Sequence, residues 1–165
     1  MSLFTDTLVN GWTLNGPYLN QLVADLDQAD MLTQPAHAPD INHPAWIVSH
    51  LQTYHPVIES LLKGEVPDDP MDARYGMKSR PLSDPAEYLP RDELIRSYND
   101  SHARVLAAAE AADESTLSQP MPVQRWADRG FPMMGSILGY LMVRHESLHL
   151  GQLSTWRRTV GKGRV

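Results

Sequence analysis

A chain of 165 residues with a net charge of −6, a pI near 5.5 and no cysteine excludes several classes at once. The acidic balance leaves no basic stripe for nucleic acid, and the missing thiols remove disulfide scaffolds, thiolate zinc sites and cysteine nucleophiles. With 42% hydrophobic and 21% charged residues, the composition is that of one globular domain, 1–165; no leader or membrane-length apolar run opens it, which predicts a cytoplasmic protein without membrane contact.

Residues from about Leu3 to Asp30 read as a first helix, because Leu8, Trp12, Leu19, Leu22, Val23 and Leu26 recur near helical spacing. A kink is expected near Pro17, and prolines at 35 and 39 make Thr33–Ile41 a connector. The second helix is predicted from Asn42 as N-cap, through Pro44 in the first turn, to Leu62 or Lys63, with Gly64 closing it. Its inward residues are Ile47, Leu51, Val57, Ile58, Leu61 and Leu62, while Trp46, His50 and Tyr54 stack at successive turns. Pro56 removes one helical hydrogen bond, so a bend is expected there.

Residues 65–89 hold four prolines and no periodicity, the mark of a crossover or a functional loop. A third helix follows from Pro90 or Arg91 to Ala112, turning Leu94, Tyr98, Val105, Leu106 and Ala109 inward. A second long connection, 113–132, carries Trp126 between Arg125 and Arg129. The fourth helix runs from Met133 to Val160, interrupted only by Gly135 and Gly139. Four amphipathic helices, two long connections and no convincing strand predict an all-α fold, a four-helix bundle with long crossover connections.

The chemistry concentrates in the fourth helix. His145 and His149 are four apart, so their rings project from one face, which also carries Leu138, Leu141, Met142, Leu148 and Trp156. Two imidazoles one turn apart on a buried face can bind one transition-metal ion: neutral imidazole nitrogen suits zinc, nickel, copper and iron. The string also satisfies the H-E-x-x-H pattern of zinc proteases, with Glu146 as base. Those enzymes take a third ligand downstream, and the 16 residues after His149 contain no His, Asp, Glu or Cys.

A third ligand must therefore come from upstream. His50, in mid-helix beside the buried face of the second helix, is the first candidate, and His102 is its rival. Three histidines with an open position mark a catalytic rather than a structural site. Around it, Gln152 could orient the His149 ring. Glu146 could act as base or hydrogen-bond acceptor, or lie on the surface paired with an arginine; Tyr54, one turn beyond His50, could reach the open positions or simply pack. His37, His43 and His55 read as loop or exposed residues.

The string His145-Glu146-Ser147-Leu148-His149-Leu150-Gly151-Gln152-Leu153, followed by Trp156-Arg157-Arg158, resembles the H-x-x-x-H-x-G-Q signature of the DinB-like (DinB/YfiT) superfamily. The second-helix string Pro44-Ala45-Trp46-Ile47-Val48-Ser49-His50-Leu51 is similar to that family's first-histidine motif. The resemblance implies a bundle whose second and third helices run parallel. It implies one divalent metal ion, commonly zinc or nickel, on His50, His145 and His149. It also implies a homodimer and, from some relatives, S-transferase activity with a low-molecular-weight thiol such as bacillithiol or mycothiol.

The expected function is that of a metal-dependent enzyme acting on a small-molecule substrate, with a metal-activated thiolate as nucleophile and Glu146 and Tyr54 as catalytic candidates. Arg74, Lys78, Arg80, Arg125 or Arg129 in the long loops could recognise an acidic cofactor, or be ordinary surface charge. The alternatives are a metal-dependent hydrolase, assisted by Glu146 or Tyr54, and a non-catalytic metal-binding or stress-response protein whose site His102 closes.

Overall fold

Four long helical stretches make up most of the chain in a computed structural model that describes residues 2–39 and 41–165. Helix α1, Leu3–Val23, begins where the Ser2 hydroxyl accepts from the Thr5 amide, a cap that supplies one otherwise orphaned donor. It contains Pro17 and stops at Val23, seven residues before the expected end at Asp30. Leu26 remains buried beyond that end because the chain turns back onto the bundle, with a single helical turn α2, Gln28–Met31, closed by an Asp27/Asp30 capping box. The expected connector at 33–41 is an irregular segment, pinned where the Trp156 indole donates to the Thr33 carbonyl at 2.8 Å; position 40 lies outside the described residues.

Helix α3 spans Pro44–Leu62 with proline in its first turn. Its N-cap is His43 rather than Asn42: the ring Nδ1 accepts from the Trp46 amide at 3.2 Å, so His43 is a buried cap and not a loop residue. Gly64 follows with φ +76°, a left-handed conformation that lets the chain leave the helix at once. Helix α4 spans Arg91–Ala111, with Leu106 half-buried at the edge of its inward face. The two long connections contain short helical turns, among them α5, Glu114–Leu117, and α6, Gln124–Ala127.

The last stretch departs from a single α-helix. It is α7, Met134–Gly139, then a π-helical turn over Tyr140–His145, then α8, Glu146–Thr159. A π turn widens the ring of backbone bonds, and the Met142 carbonyl within it accepts from the Asn15 amide of α1 at 3.3 Å.

Cross-helix partners give the topology. Gln52 meets Ser97, His55 meets Ser101 and Arg104 meets Glu59, so α3 and α4 run parallel, and the 63–90 connection must cross the length of the bundle. Trp12 with His102 and Arg91 with Val23 make α1 antiparallel to α4. Asn15 with Met142 and Leu22 with Arg157 make α1 parallel to α8. The fold is a helical bundle, and among the described residues there is no strand beyond an isolated bridge between Pro120 and Met133. None of the described helices is long and apolar enough to cross a membrane.

The core falls into two apolar clusters. One gathers Leu8, Trp12, Ile58, Leu61, Val105, Leu138 and Met142; the other gathers Leu19, Leu22, Ile47, Leu51, Leu153 and Trp156. At their junction each long helix turns a polar side chain inward: Asn15, His50 with His55, Ser101 with His102, and His145, Glu146 and His149. Burying such groups costs several kcal/mol unless they find partners, about 1–3 kcal/mol for each that does not. Function must be sought in this layer.

Candidate metal centre

His50 is carried by α3, His145 by the end of the π turn and His149 by α8; each is less than a tenth exposed. Each can offer one ligand nitrogen, the three lying within 4.8 Å of one another. His50 Nε2 and His145 Nε2 are 3.1 Å apart. Two nitrogens on a tetrahedral zinc ion, at Zn–N of about 2.0–2.1 Å, stand about 3.3 Å apart, so this edge already has nearly the required length.

The far sides of the rings fix which nitrogen is free. His50 Nδ1 donates to the Tyr75 carbonyl at 2.6 Å, and His149 Nδ1 donates to Gln152 Oε1 at 2.8 Å. Each bond places the proton on Nδ1 and leaves an Nε2 lone pair for a cation, the arrangement that orients metal-binding histidines. Burial drives the His50 pKa down to about 4, with help from His149, and the His145 pKa down to about 2, with help from His149 and His50. Burial lowers His149 as well, against its bond to Gln152. Three neutral imidazoles at neutral pH are the protonation state a transition-metal ion requires. The donor set fits a divalent transition-metal ion, since neutral imidazole suits zinc, copper, iron and nickel alike.

Tyr75 lies in the 63–90 connection, so a loop supplies one ring's orientation. Gly76 is essential to that loop's path. A Cβ there would collide with the Pro70 carbonyl and lie 2.8 Å from the Met71 carbonyl, both backbone atoms that cannot swing away. Gly76→Ala is therefore expected to displace the Tyr75 carbonyl and weaken zinc affinity by about 10–100-fold while the helical circular-dichroism signal persists. Competition with a chromogenic chelator measures this, and an unchanged affinity would show that the loop does not govern the ring.

A cavity of about 540 Å³ opens beside the three rings. Its lining combines the apolar side chains of Trp46, Trp126, Phe131, Ile137 and Leu141 with the guanidinium groups of Arg125, Arg129 and Arg144. Tyr54 lines the cavity with His50, its ring centroid 5.1 Å from that of His50 and 4.9 Å from that of His145. Burial raises its pKa, so the phenol holds its proton. Leu148, expected in the core, is 55% exposed and forms part of the cavity rim instead.

The other candidates are placed differently. Glu146 is fully buried and accepts from the Tyr98 hydroxyl of α4; it is not part of the cavity wall. Burial pushes its pKa up to about 8, a rise the Tyr98 bond only partly offsets, so it is mainly a neutral carboxylic acid at pH 7. His102 is stacked on Trp12 with ring centroids 4.4 Å apart and is not part of the three-histidine group. His55, read as exposed, is buried, and its Nδ1 bonds to the Ser101 hydroxyl at 2.7 Å. Of the loop cations, Arg125 and Arg129 reach the cavity, whereas Arg74 pairs with Glu87 and Lys78 with Asp72. Arg144, which no motif singled out, lines the cavity; its place immediately before His145 was the only signal the sequence carried.

None of the curated proteins and none of the solved structures compared with the chain matches it. A family model does: it describes the DinB superfamily and matches residues 13–153, a stretch that contains all three histidines, Gln152 and the Tyr75 loop. With the bundle, the buried histidine group and this match in agreement, the chain belongs to the DinB superfamily.

Proposed function

We propose that this protein is a metal-dependent enzyme that holds one divalent ion, zinc or nickel, on His50, His145 and His149 and transfers a low-molecular-weight thiol to an electrophilic substrate. The observation that carries the proposal is the pair of ring nitrogens turned outward to Tyr75 and Gln152, which leaves lone pairs converging beside an open cavity. A structural site would be closed by a fourth protein ligand; among the described residues the group has three, and His102 is engaged elsewhere. When bound, the ion supplies Lewis acidity that lowers the pKa of a thiol or a water molecule.

The chain's own residues do the rest. Trp46 stacks on His50 with centroids 4.6 Å apart and keeps water from one face of the ring. Tyr54, protonated, offers a hydrogen bond at the cavity wall. Glu146 and Tyr98 support α8 from the opposite side and act as positioning residues. In the reaction a sulfur–carbon bond forms, the bond from that carbon to its leaving group breaks, and the thiol proton passes to solvent.

The test is turnover of a chlorinated aromatic acceptor with bacillithiol, mycothiol or glutathione by zinc- or nickel-loaded protein. Conjugate formation that stops after chelation and returns with metal is the expected result. Absence of metal-dependent conjugation with all three thiols would overturn the transferase reading.

A further inference from the structure

The chain is acidic overall, yet three arginines line the cavity beside the histidines. Arg125 and Arg129 enter from the 112–133 connection and Arg144 from the π turn; no Asp or Glu lines the same cavity. Their partners differ. Arg125 is held by Asp69 through two bonds of 2.6 and 2.5 Å and lies over the Trp126 ring at 5.1 Å, so its charge is matched and its position fixed. Arg129 donates to the Met77 sulfur at 3.3 Å, a weak acceptor. Arg144 lies over the Tyr140 ring at 5.4 Å, an aromatic face rather than a carboxylate. Among the described residues neither Arg129 nor Arg144 forms an ion pair with a carboxylate.

Three guanidinium groups thus line one partly enclosed space, and only that of Arg125 is paired with a carboxylate, Asp69. Like charges on low-dielectric walls repel, and a bound anion relieves that repulsion while gaining charge-assisted bonds. Phosphate alone would leave the apolar lining of Phe131, Ile137 and Leu141 uncovered. A ligand with an acidic end and a flat apolar body satisfies both kinds of lining, and the cavity volume suits a molecule of that size.

We infer that the cavity takes a small organic anion, a carboxylate on an apolar or aromatic body, selected for its charge by Arg129 and Arg144. The inference rests on reading this cavity as the substrate site, but not on which metal is held or on the thiol chemistry. Arg125 serves as fixed support between the two connections rather than as the main contact.

Titration calorimetry with 1-naphthoate and its neutral isostere 1-naphthamide tests the inference on the intact protein, both zinc-loaded and metal-free. The acid is expected to bind about tenfold or more tighter than the amide in both states, a preference that weakens with added salt. Arg129→Gln and Arg144→Gln are each expected to lower acid affinity about fivefold or more while leaving amide affinity and zinc stoichiometry unchanged. Arg80→Gln, outside the cavity, should change neither. Equal binding of acid and amide would overturn the inference, as would binding of neither. A preference seen only with zinc and indifferent to both arginine substitutions would also overturn it, by assigning the charge selection to the ion and leaving the metal reading intact. A protein that takes up no zinc but still prefers the acid through Arg129 and Arg144 would uphold the inference while removing the proposed function.

Discussion

Protein carrying His149→Ala, purified without a histidine tag, is expected to contain less than about a tenth of the zinc or nickel of the parent, for which about one ion per chain is expected. His50→Ala should do the same by a different route. His145 and His149 share one helical stretch, so losing His149 leaves a pair on opposite helices, whereas losing His50 removes the only ligand that α3 contributes. Either variant is left with two neutral imidazoles, too few to hold an ion through dialysis. Gln152→Ala is the graded control: it removes only the acceptor of the His149 ring proton and should weaken binding about 10–100-fold without abolishing it. A second readout separates lost metal from lost fold. An ion at a hundred times its dissociation constant stabilises the native state by about 2.7 kcal/mol, so zinc should raise the melting temperature of the parent and leave both alanine variants unmoved. Equal zinc shifts in parent and variants, or retained metal, would remove the three histidines from the role assigned to them.

The metal-free protein is expected to lose stability as pH falls from about 6.5 to 4, a loss that begins above the range in which ordinary carboxylates titrate. His43, His55 and His102 are buried outside the candidate centre, and burial lowers the pKa of each; for His102 it falls to about 4. An unfolded histidine takes a proton as pH falls through about 6.5, whereas a buried one does not until its lower folded value. Over that interval these histidines bind more protons in the unfolded chain, so their contribution to stability declines with falling pH, and above it they add no slope. Glu146, whose folded pKa is raised to about 8, works in the opposite direction and offsets about one of them. A histidine with a folded pKa near 4 costs about 2 kcal/mol at pH 5. Several such residues approach the whole stability of a domain, about 5–15 kcal/mol, and His50, His145 and His149 add to the effect when no ion holds them. Urea midpoints at pH 7.5, 6 and 5 measure it. A midpoint unchanged down to pH 5 would contradict the assignment of these rings as neutral and buried.

The elements legible in the sequence were those marked by chemistry at their ends. Pro44 and Gly64 bracket α3, and Pro90 precedes α4, so both were placed within a residue or two. The end of α1 was overrun because Leu26 keeps the apolar spacing after hydrogen bonding has stopped; its burial comes from tertiary packing that a periodicity does not distinguish. The π turn was invisible for a related reason, since Leu141, Met142 and His145 fit a buried face in either helix type. In the site, the histidine pair declared itself by spacing, whereas the burial of Glu146 depends on Tyr98, 48 residues away. His55 was misplaced because Ser101, its partner, lies on the neighbouring parallel helix. The exposure of Leu148 is not legible either, because an apolar side chain at a cavity rim and one in a core have the same sequence signature.

The wide turn at Tyr140–His145 also bears on how the gene can change. Losing one codon from an ordinary helix rotates everything beyond it by about 100° and would swing His149 out of the bundle. Here the wider loop of backbone already accommodates a surplus residue, so deleting Val143 would let the stretch close into regular α-helix with α7 and α8 still facing as they do. Such a deletion would spare the packing at both ends while repositioning Arg144 and His145. In this stretch, changes in chain length can remodel the cavity without dismantling the scaffold that holds it.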